Sequence, residues 1–266
     1  MGDLRLYLRY LGISVRSQLQ YRASFVMLSL GHLLVTATEF IGILVLFDRF
    51  GHLDGWLLEE VALFYGLISI AFAVADAGSR GFDLLGGQIK SGTFDRILLR
   101  PRSAALQIAG QELTLRRVGR LTQGLVIFTW AAVSLDLSWT IPKVVLLLAS
   151  VLGGAALFFG LVVLQATLAF WTTETLEIMN TVTYGGVETA QYPLAIYRTW
   201  FRRFFTYVVP LAFANYYPVL AILGRPDPTG APALFMWGAP VVGFAFLALA
   251  LRLWDFGVRH YTSTGS

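Results

Sequence analysis

The sequence predicts an all-α polytopic membrane protein with six transmembrane helices, and three observations lead to that prediction. Hydrophobic residues make up 56% of the 266 residues and charged residues only 14%, whereas about a quarter of a soluble domain is charged. The apolar residues are gathered in runs that approach the ~20 residues needed to cross a bilayer. No cysteine is present, so disulfide frameworks and thiolate metal sites are excluded.

Five apolar stretches are predicted to cross the membrane as helices. They are Ser24–Phe47, Val61–Ser79, Val118–Leu135, Val144–Trp171 and Ala233–Leu253. Pro142 stands where the first turn of a helix tolerates proline, so the fourth span is predicted to begin there. Gly153, Gly154 and Gly160 follow within that span and predict a close approach to another helix.

Residues 1–23 precede the first span and carry an apolar stripe at helical spacing, with arginines off the stripe. The stripe consists of Leu4, Leu8, Leu11, Val15 and Leu19. This pattern predicts an N-terminal interfacial helix that contacts membrane lipid and whose arginines reach the headgroups. The alternative is a cytoplasmic extension of the first span.

The remaining span lies within 172–224, where the sequence allows two interpretations. In the first, Thr172–Tyr192 is a polar fifth span, and Phe204–Leu223 is re-entrant and turns back at Pro210 and Pro218. In the second, Phe204–Leu223 is the fifth span and the residues before it lie in the cytoplasmic interface. Both interpretations give six spans.

Basic residues predict the orientation of the chain. Eight of them lie between Arg80 and Arg120, and four arginines precede Ser24. The positive-inside rule therefore places both regions, and both termini, in the cytoplasm. The arginines within 198–203 favour the second interpretation of 172–224, because only in that interpretation do they lie on the cytoplasmic side. The arginines of the whole chain are split among several loops and do not form one stripe, which argues against nucleic acid as a partner.

The polar island Gly81–Ser103 separates the second and third spans and contains one predicted short helix. Thr93 is its predicted N-cap, and Pro101 is predicted to stop it. Phe94, Ile97 and Leu98 fall at i, i+3 and i+4 and make an apolar face, with Arg96 and Arg100 on another. Such a helix suits docking to a soluble partner; a solvated loop is the alternative.

Motifs for independent chemistry are absent from the sequence. No G-x-x-x-x-G-K-[ST] loop occurs, so the chain is not predicted to hydrolyse ATP or to bind a cofactor itself. The three histidines are far apart and no H-E-x-x-H occurs, so no metal site is expected. The chain is therefore predicted not to be an enzyme.

Three stretches resemble the ABC-2 type permease subunits of ABC transporters. They are SGTFDRILLRP at 91–101, YPLAIYRTWFRRFFTYVVPLAFANYYP at 192–218 and LWDFGVRHYTSTGS at 253–266. The resemblance implies a separate ABC ATPase subunit that binds ATP with magnesium, and a second permease subunit, identical or paralogous. It also implies that 81–103 is the coupling segment and that 192–224 is re-entrant on the outer side.

The resemblance assigns ATPase coupling to the residues of the short helix. They are Thr93, Phe94, Asp95, Arg96, Ile97, Leu98, Arg100 and Pro101. We expect Phe94, Ile97 and Leu98 to pack into the ATPase and the charged residues to make polar contacts with it. The implied activity is export of a small amphipathic, drug-like or lipid-linked substrate.

Four residues are candidates for the translocation path. Glu39 is a carboxyl within the first span, where ionisable residues normally face a bundle interior or a cavity. Tyr192, Tyr216 and Tyr217 are aromatic candidates for an outer gate. The alternatives are a carboxyl hydrogen-bonded to a neighbouring helix and tyrosines that anchor the chain at the interface.

Two other classes of function are weighed against transport. An intramembrane enzyme acting on a lipid would need clustered acids or histidines near one membrane face, and the sequence lacks them. A membrane anchor for a cytoplasmic complex would bind the ATPase but would not transport.

Overall fold

The computed structural model describes residues 3–112, 114, 117–172 and 176–263, and the side chains of these except 3–8, 11, 14 and 176–180. The described residues are helical along most of their length and contain no β-strand. The long helices are α1 Asp3–Gln20, α2 Arg22–Phe50, α3 Leu58–Asp83, α7 Val118–Ser134, α8 Ile141–Leu168, α9 Leu176–Ala190 and α12 Ala233–Arg259. The short helices are α4 Leu85–Lys90, α5 Phe94–Leu98, α6 Ala104–Ala109, α10 Thr199–Arg203 and α11 Tyr217–Leu223.

Four helices of the described chain are long and apolar enough to cross a membrane. They are α2, α3 with its continuation to Lys90, α8 and α12, and a bent pair of helices makes a fifth candidate. Their positions agree with four of the predicted spans, and Pro142 lies in the first turn of α8 as expected. The third predicted span forms α7, which has only 17 residues.

Close helix contacts give the directions of the helices. Gly66 of α3 faces Phe128 of α7, and Gly124 of α7 faces Ile70, so these two helices are antiparallel. Gly160 of α8 faces Leu247 of α12. Below, we call the end at which α3, α8 and α12 begin the upper end, and the end at which they finish the lower end.

The α8–α12 pair is parallel and its backbones touch. A methyl group added to Gly243 would lie 1.9 Å from the carbonyl oxygen of Gly153. Further along, a methyl group on Gly257 would lie 3.0 Å from a side-chain carbon of Thr167. Small residues at these positions permit the approach, as the glycines of the fourth span predicted.

The central helix of the bundle is α3. In its most apolar window 83% of the residues are buried, against 17% in the corresponding window of α2. Its buried residues contact α7, α8, α9 and the bent pair. Because α2 and α12 leave broad apolar faces uncovered, they lie at the periphery of this single chain.

The bent pair consists of 199–208 and 212–223, whose axes differ by 82°. Two π-helical segments, Phe204–Val208 and Ala212–Tyr216, flank Pro210 at the bend. A π-helix widens the turn and is rare outside functional sites, and proline cannot continue the hydrogen-bond ladder. The bend therefore lies at Pro210, one of the two prolines predicted to turn the chain, whereas Pro218 lies in the first turn of α11.

Both ends of the bent pair lie at the upper end of the bundle. The Tyr197 hydroxyl donates to the Thr189 carbonyl near the end of α9, and Arg225 pairs with Glu60 in the first turn of α3. Between the two ends of the bent pair, Ala214 lies beside Gly154 of α8, and Gly154 faces Ala71 of α3.

The tip of the bent pair therefore reaches about 20 Å below the start of α3, at ~1.5 Å per residue. This is more than half of a ~30 Å hydrocarbon core. This geometry has 204–223 turn back within the bundle, and a fifth span at Thr172–Tyr192 stays a prediction. It does not agree with one straight span at 204–223.

The N-terminal residues form a helix distinct from α2, with a break at Tyr21. Tyr10 of α1 packs against Gly110, just after α6 at the lower end. The predicted apolar stripe lies partly outside the described side chains, and the predicted contact with lipid stays a prediction.

Candidate functional site

The predicted coupling segment, 81–103, lies at the lower end and contains two short helices, α4 and α5. Gly92 has a φ of +68°, a left-handed conformation that glycine adopts without strain, and it separates α4 from α5. The predicted helix is present but shorter than expected, because α5 spans only Phe94–Leu98. It ends two residues before Arg100 and Pro101.

The predicted N-cap role of Thr93 is wrong. Thr93 has helical backbone angles, φ −72° and ψ −18°, and makes no capping bond with its side chain. Its hydroxyl instead donates to the Gln88 carbonyl at 3.3 Å and lies 2.9 Å from the Ser91 hydroxyl. Thr93 therefore stabilises the turn between α4 and α5.

Five aromatic rings join α5 to the lower ends of three long helices. We call them the lower aromatic cluster: Phe82, Phe94, Phe170, Trp254 and Tyr261. The centroid of the Phe94 ring lies 5.0 Å from that of Tyr261 and 5.5 Å from that of Phe170. Trp254 lies 5.3 Å from Phe82 and 5.2 Å from Phe170. Edge-to-face and tilted contacts of this kind add to the energy of burial.

Hydrogen bonds add to the attachment of α5. The Ser263 hydroxyl donates to the Asp95 carboxylate at 2.6 Å. Burial raises the pKa of Tyr261, and the neighbouring Asp95 carboxylate raises it further. The Gln107 amide of α6 donates to the carbonyls of Ile97 and Arg102, at 3.2 Å each. The segment is therefore fixed to both the C-terminal residues and α6.

The apolar face of α5 points into the chain itself, and this corrects the expected contacts of Phe94 and Ile97. Phe94 is fully buried and Ile97 is 7% exposed, so in this conformation neither is available to a partner. Leu98 is 39% exposed and Leu99, which the sequence reasoning missed, is 85% exposed. The pattern at i, i+3 and i+4 identified the apolar face but not its partner.

The exposed surface of the segment is mixed apolar and basic. Thr93, Arg96, Arg100 and Pro101 are exposed, and Asp95 is half-buried. Leu99 could have been found from the double leucine before Arg100, but it lies past the end of α5, where helical phase no longer applies. That this surface docks to an ATPase stays a prediction.

Glu39 takes part in a buried polar network between α2, α7 and α9. Its carboxylate lies 3.5 Å from the Arg120 guanidinium and accepts from the Gln191 amide at 3.4 Å. The Arg120 guanidinium lies 5.1 Å from the centroid of the Phe72 ring. The structure thus places Glu39 in contact with neighbouring helices, with its side chain 33% exposed.

Two of the three tyrosines are buried within the bundle. Tyr216 is 3% exposed, stacks on Phe64 and donates to Asp227 at 2.7 Å. Tyr217 is 4% exposed and packs against Phe235 of α12. Both therefore act as core residues in this chain and do not lie at its surface as interfacial anchors.

Tyr192 is half-buried at the upper end, next to Gln191, the residue that contacts Glu39. Tyr192 and Tyr216 line one small cavity. The structure thus brings Glu39, Tyr192 and Tyr216 into one region, while Tyr217 faces α12.

An apolar cavity of about 540 Å³ lies between α3, α6, α8 and α12 in the lower half of the bundle. Its walls include Phe82, Ala105, Phe159 and Leu251. Its size falls within the 300–1,000 Å³ range that is typical of small-molecule sites. The described residues hold no group of three or more His, Cys, Asp or Glu side chains arranged for a metal ion.

Comparison with known proteins gives one match. The family described as ABC-2 family transporter protein matches residues 33–265, which is most of the chain. No curated protein and no solved structure matches it. The family consists of membrane subunits of transporters that are not themselves ATPases, and membership implies association with an ABC ATPase. The chain therefore belongs to the ABC-2 family transporter proteins, as the permease subunit of an ABC transporter.

Proposed function

We propose that this permease exports a small amphipathic, drug-like or lipid-linked substrate, driven by a separate ATPase that docks on the exposed surface of α5. The attachment of α5 to α3, α8 and α12 through the lower aromatic cluster carries the proposal. A partner that moves α5 would move the ends of three long helices with it.

The proposed topology has six crossings, formed by α2, α3, α7, α8, α9 and α12. Contacts support α9 as the fifth crossing, because Tyr184 packs on Phe72 and the Ala190 carbonyl accepts from Asn215 near Phe64. The lower end faces the cytoplasm, since the basic segment between Arg80 and Arg120 lies there. Both termini are then cytoplasmic, in a bacterial inner membrane.

The route of coupling follows packed side chains from the lower to the upper end. At the lower end, Phe94 contacts Trp254 of α12, with ring centroids 6.5 Å apart. At the upper end, Phe235 of α12 contacts Tyr217 of the bent pair, at 5.6 Å. Because α12 touches α8 backbone to backbone, the two helices transmit displacement together. ATP on the partner would then bias which end of the bundle is open.

Two features support the rest of the proposal. The apolar cavity opens among the helices that α5 would move, and its walls suit an amphipathic or lipid-linked substrate. The uncovered apolar face of α2 suits a second permease subunit, identical or paralogous, or lipid. ATP and magnesium belong to the partner in this proposal, and this chain binds no cofactor.

The experiment uses the permease co-expressed with its partner ATPase. Leu99→Asp should abolish co-purification of the ATPase and ATP-driven transport in reconstituted vesicles, while leaving the melting temperature of the permease unchanged, because Leu99 is 85% exposed. Leu84→Asp, at the same end and 44% exposed, is the matched control and should retain both activities.

Three outcomes separate the possibilities. Loss of ATPase co-purification and of transport in Leu99→Asp, but not in Leu84→Asp, supports docking of the ATPase at α5. Full co-purification and transport by Leu99→Asp would overturn the docking surface. If the wild-type complex forms but no transport occurs, the chain is a membrane anchor and the exporter proposal fails.

A further inference from the structure

A polar cavity of about 230 Å³ lies between the two limbs of the bent pair at the upper end. Arg202 and Arg203 line it together with Thr199, Tyr217 and Thr229. The cavity has room for roughly seven waters at about 30 Å³ each, which is enough for a phosphate group and its oxygens. We propose that this cavity binds a phosphate-bearing anion.

The charge of the two arginines is the first argument. In the described part of the chain, no ion pair joins Arg202 or Arg203 to a carboxylate. Arg225, at the same end, shows the alternative: its guanidinium pairs with Glu60 at 2.7 Å and covers the Trp56 ring. Arg202 is half-buried. Arg203 is exposed. Partial burial of the Arg202 guanidinium without a paired anion carries a cost, and an anion in the cavity would offset it.

In the described part of the chain, the carboxylate bonded to the cavity wall makes no ion pair with these arginines. Asp227 accepts hydrogen bonds from Tyr216, from both the backbone and the hydroxyl of Thr229, and from the Ala231 backbone. Burial alone would raise the pKa of Asp227, but these bonds outweigh it and hold the pKa below its ordinary value. Its oxygens are thus occupied by donors of its own loop.

The donor set favours phosphate over a single carboxylate. Two guanidiniums supply forked N–H donors, and the hydroxyls of Thr199 and Tyr217 add further donors around the same space. Arginine binds phosphate oxygens in pairs, so two adjacent arginines suit a group with several charged oxygens.

The position of the arginines supports the same conclusion. The basic coupling segment lies at the lower end, whereas Arg198, Arg202 and Arg203 lie at the upper end. In the proposed topology this is the outer side, where arginines are disfavoured. Trp200 and Tyr207 beside the cavity are exposed, by 68% and 72%, and such rings are typical of the headgroup level of a membrane. The anion can therefore come from a lipid headgroup or from solution.

The test measures binding to the purified full chain in detergent, independently of transport. The probes are inorganic phosphate, short-chain phosphatidic acid and, as a neutral comparison, short-chain phosphatidylcholine. We expect phosphatidic acid to raise the melting temperature of the wild-type chain. Inorganic phosphate alone raises it too if the site is open to soluble anions. The Arg202→Gln/Arg203→Gln double variant should bind about tenfold more weakly or worse, as loss of charged hydrogen bonds predicts.

Arg198→Gln is the matched control, because it removes the same charge from the same segment but does not line the cavity. It should bind like the wild type. If the double variant is not monodisperse, Arg203→Gln and Thr199→Val, both at exposed positions, carry the same test.

The outcomes distinguish the sources of the anion. Binding of phosphatidic acid without phosphate supports a lipid headgroup site, and binding of both supports a site open to soluble phosphates. The proposal is overturned if neither anion binds, if the double variant binds as tightly as the wild type, or if Arg198→Gln loses as much affinity.

Discussion

The contact between α8 and α12 predicts that Gly243→Ala destabilises the protein. The added methyl carbon would lie 1.9 Å from the Gly153 carbonyl oxygen, about 1.5 Å short of an ordinary contact, which begins at 3.4 Å. The obstacle is backbone and cannot rotate away, so the helices must separate or tilt. Gaps of 0.5–1 Å already forfeit about a quarter to a half of the dispersion energy of the atoms involved.

We expect a loss of about 1–3 kcal/mol in the free energy of unfolding, as for overpacking in a dense core. In a membrane, helix association depends on this packing, because lipid is as apolar as the side chains. The assay is equilibrium unfolding of the purified chain by SDS in mixed micelles, followed by circular dichroism.

Gly238→Ala on the same helix is the matched control. Its methyl carbon would meet only a Leu234 side-chain carbon at 3.9 Å. Alanine also forms helix better than glycine, by about 1 kcal/mol. The control should therefore be neutral or stabilising. A Gly243→Ala variant as stable as the wild type would refute the backbone contact, and so would equal losses in the two variants.

Three further predictions concern stability; the first two use the same unfolding assay and the third uses the melting temperature. Trp254→Ala should cost about 3–5 kcal/mol, because its ring is 1% exposed; Trp237→Ala, on the same helix and 48% exposed, should cost far less, and equal losses would count against the lower aromatic cluster. Asp76→Asn should cost about 3–5 kcal/mol by leaving the buried Arg117 unpaired, and adding Arg117→Gln should recover part of the loss; additive losses would argue against the pair. Asp227→Asn should lower the melting temperature at neutral pH, because the pKa of Asp227 lies below its ordinary 3.8 when folded and its carboxylate stabilises the fold above that value. The difference from wild type should shrink as pH falls through the folded pKa, and a difference that grows in acid would contradict the hydrogen bonds.

The helices of this fold could be predicted from apolar length, and their pairing could not. The stretch Val118–Leu135 became α7, Val118–Ser134, almost residue for residue. Gly153 predicted a close contact with another helix, but a glycine does not indicate which helix that is. The parallel pairing with Gly243 emerges only when the bent pair returns the chain to the upper end.

The sequence predicted where the short helix of the coupling segment lies, but not what its apolar face packs against. An apolar face at Phe94 and Ile97 fits the interior of the protein and a cleft on a partner equally well, because both are dry and apolar. The lower aromatic cluster draws on rings more than 160 residues apart, such as Phe94 and Tyr261, which no local pattern connects. The sequence allowed Glu39 to be either a residue of the translocation path or a carboxyl bonded to a neighbouring helix. Its partner Arg120 lies 81 residues away on another helix, so no local pattern could identify it.

The backbone contact between α8 and α12 also provides an internal distance reference. Because these two helices touch backbone to backbone, we expect them to move together and the separation of points on their outer faces to stay nearly constant. Leu152 and Leu249 are 57% and 52% exposed on these two helices. Because the chain has no cysteine, spin labels at these two sites face no background. Distances that change with nucleotide elsewhere in the complex can be read against this pair.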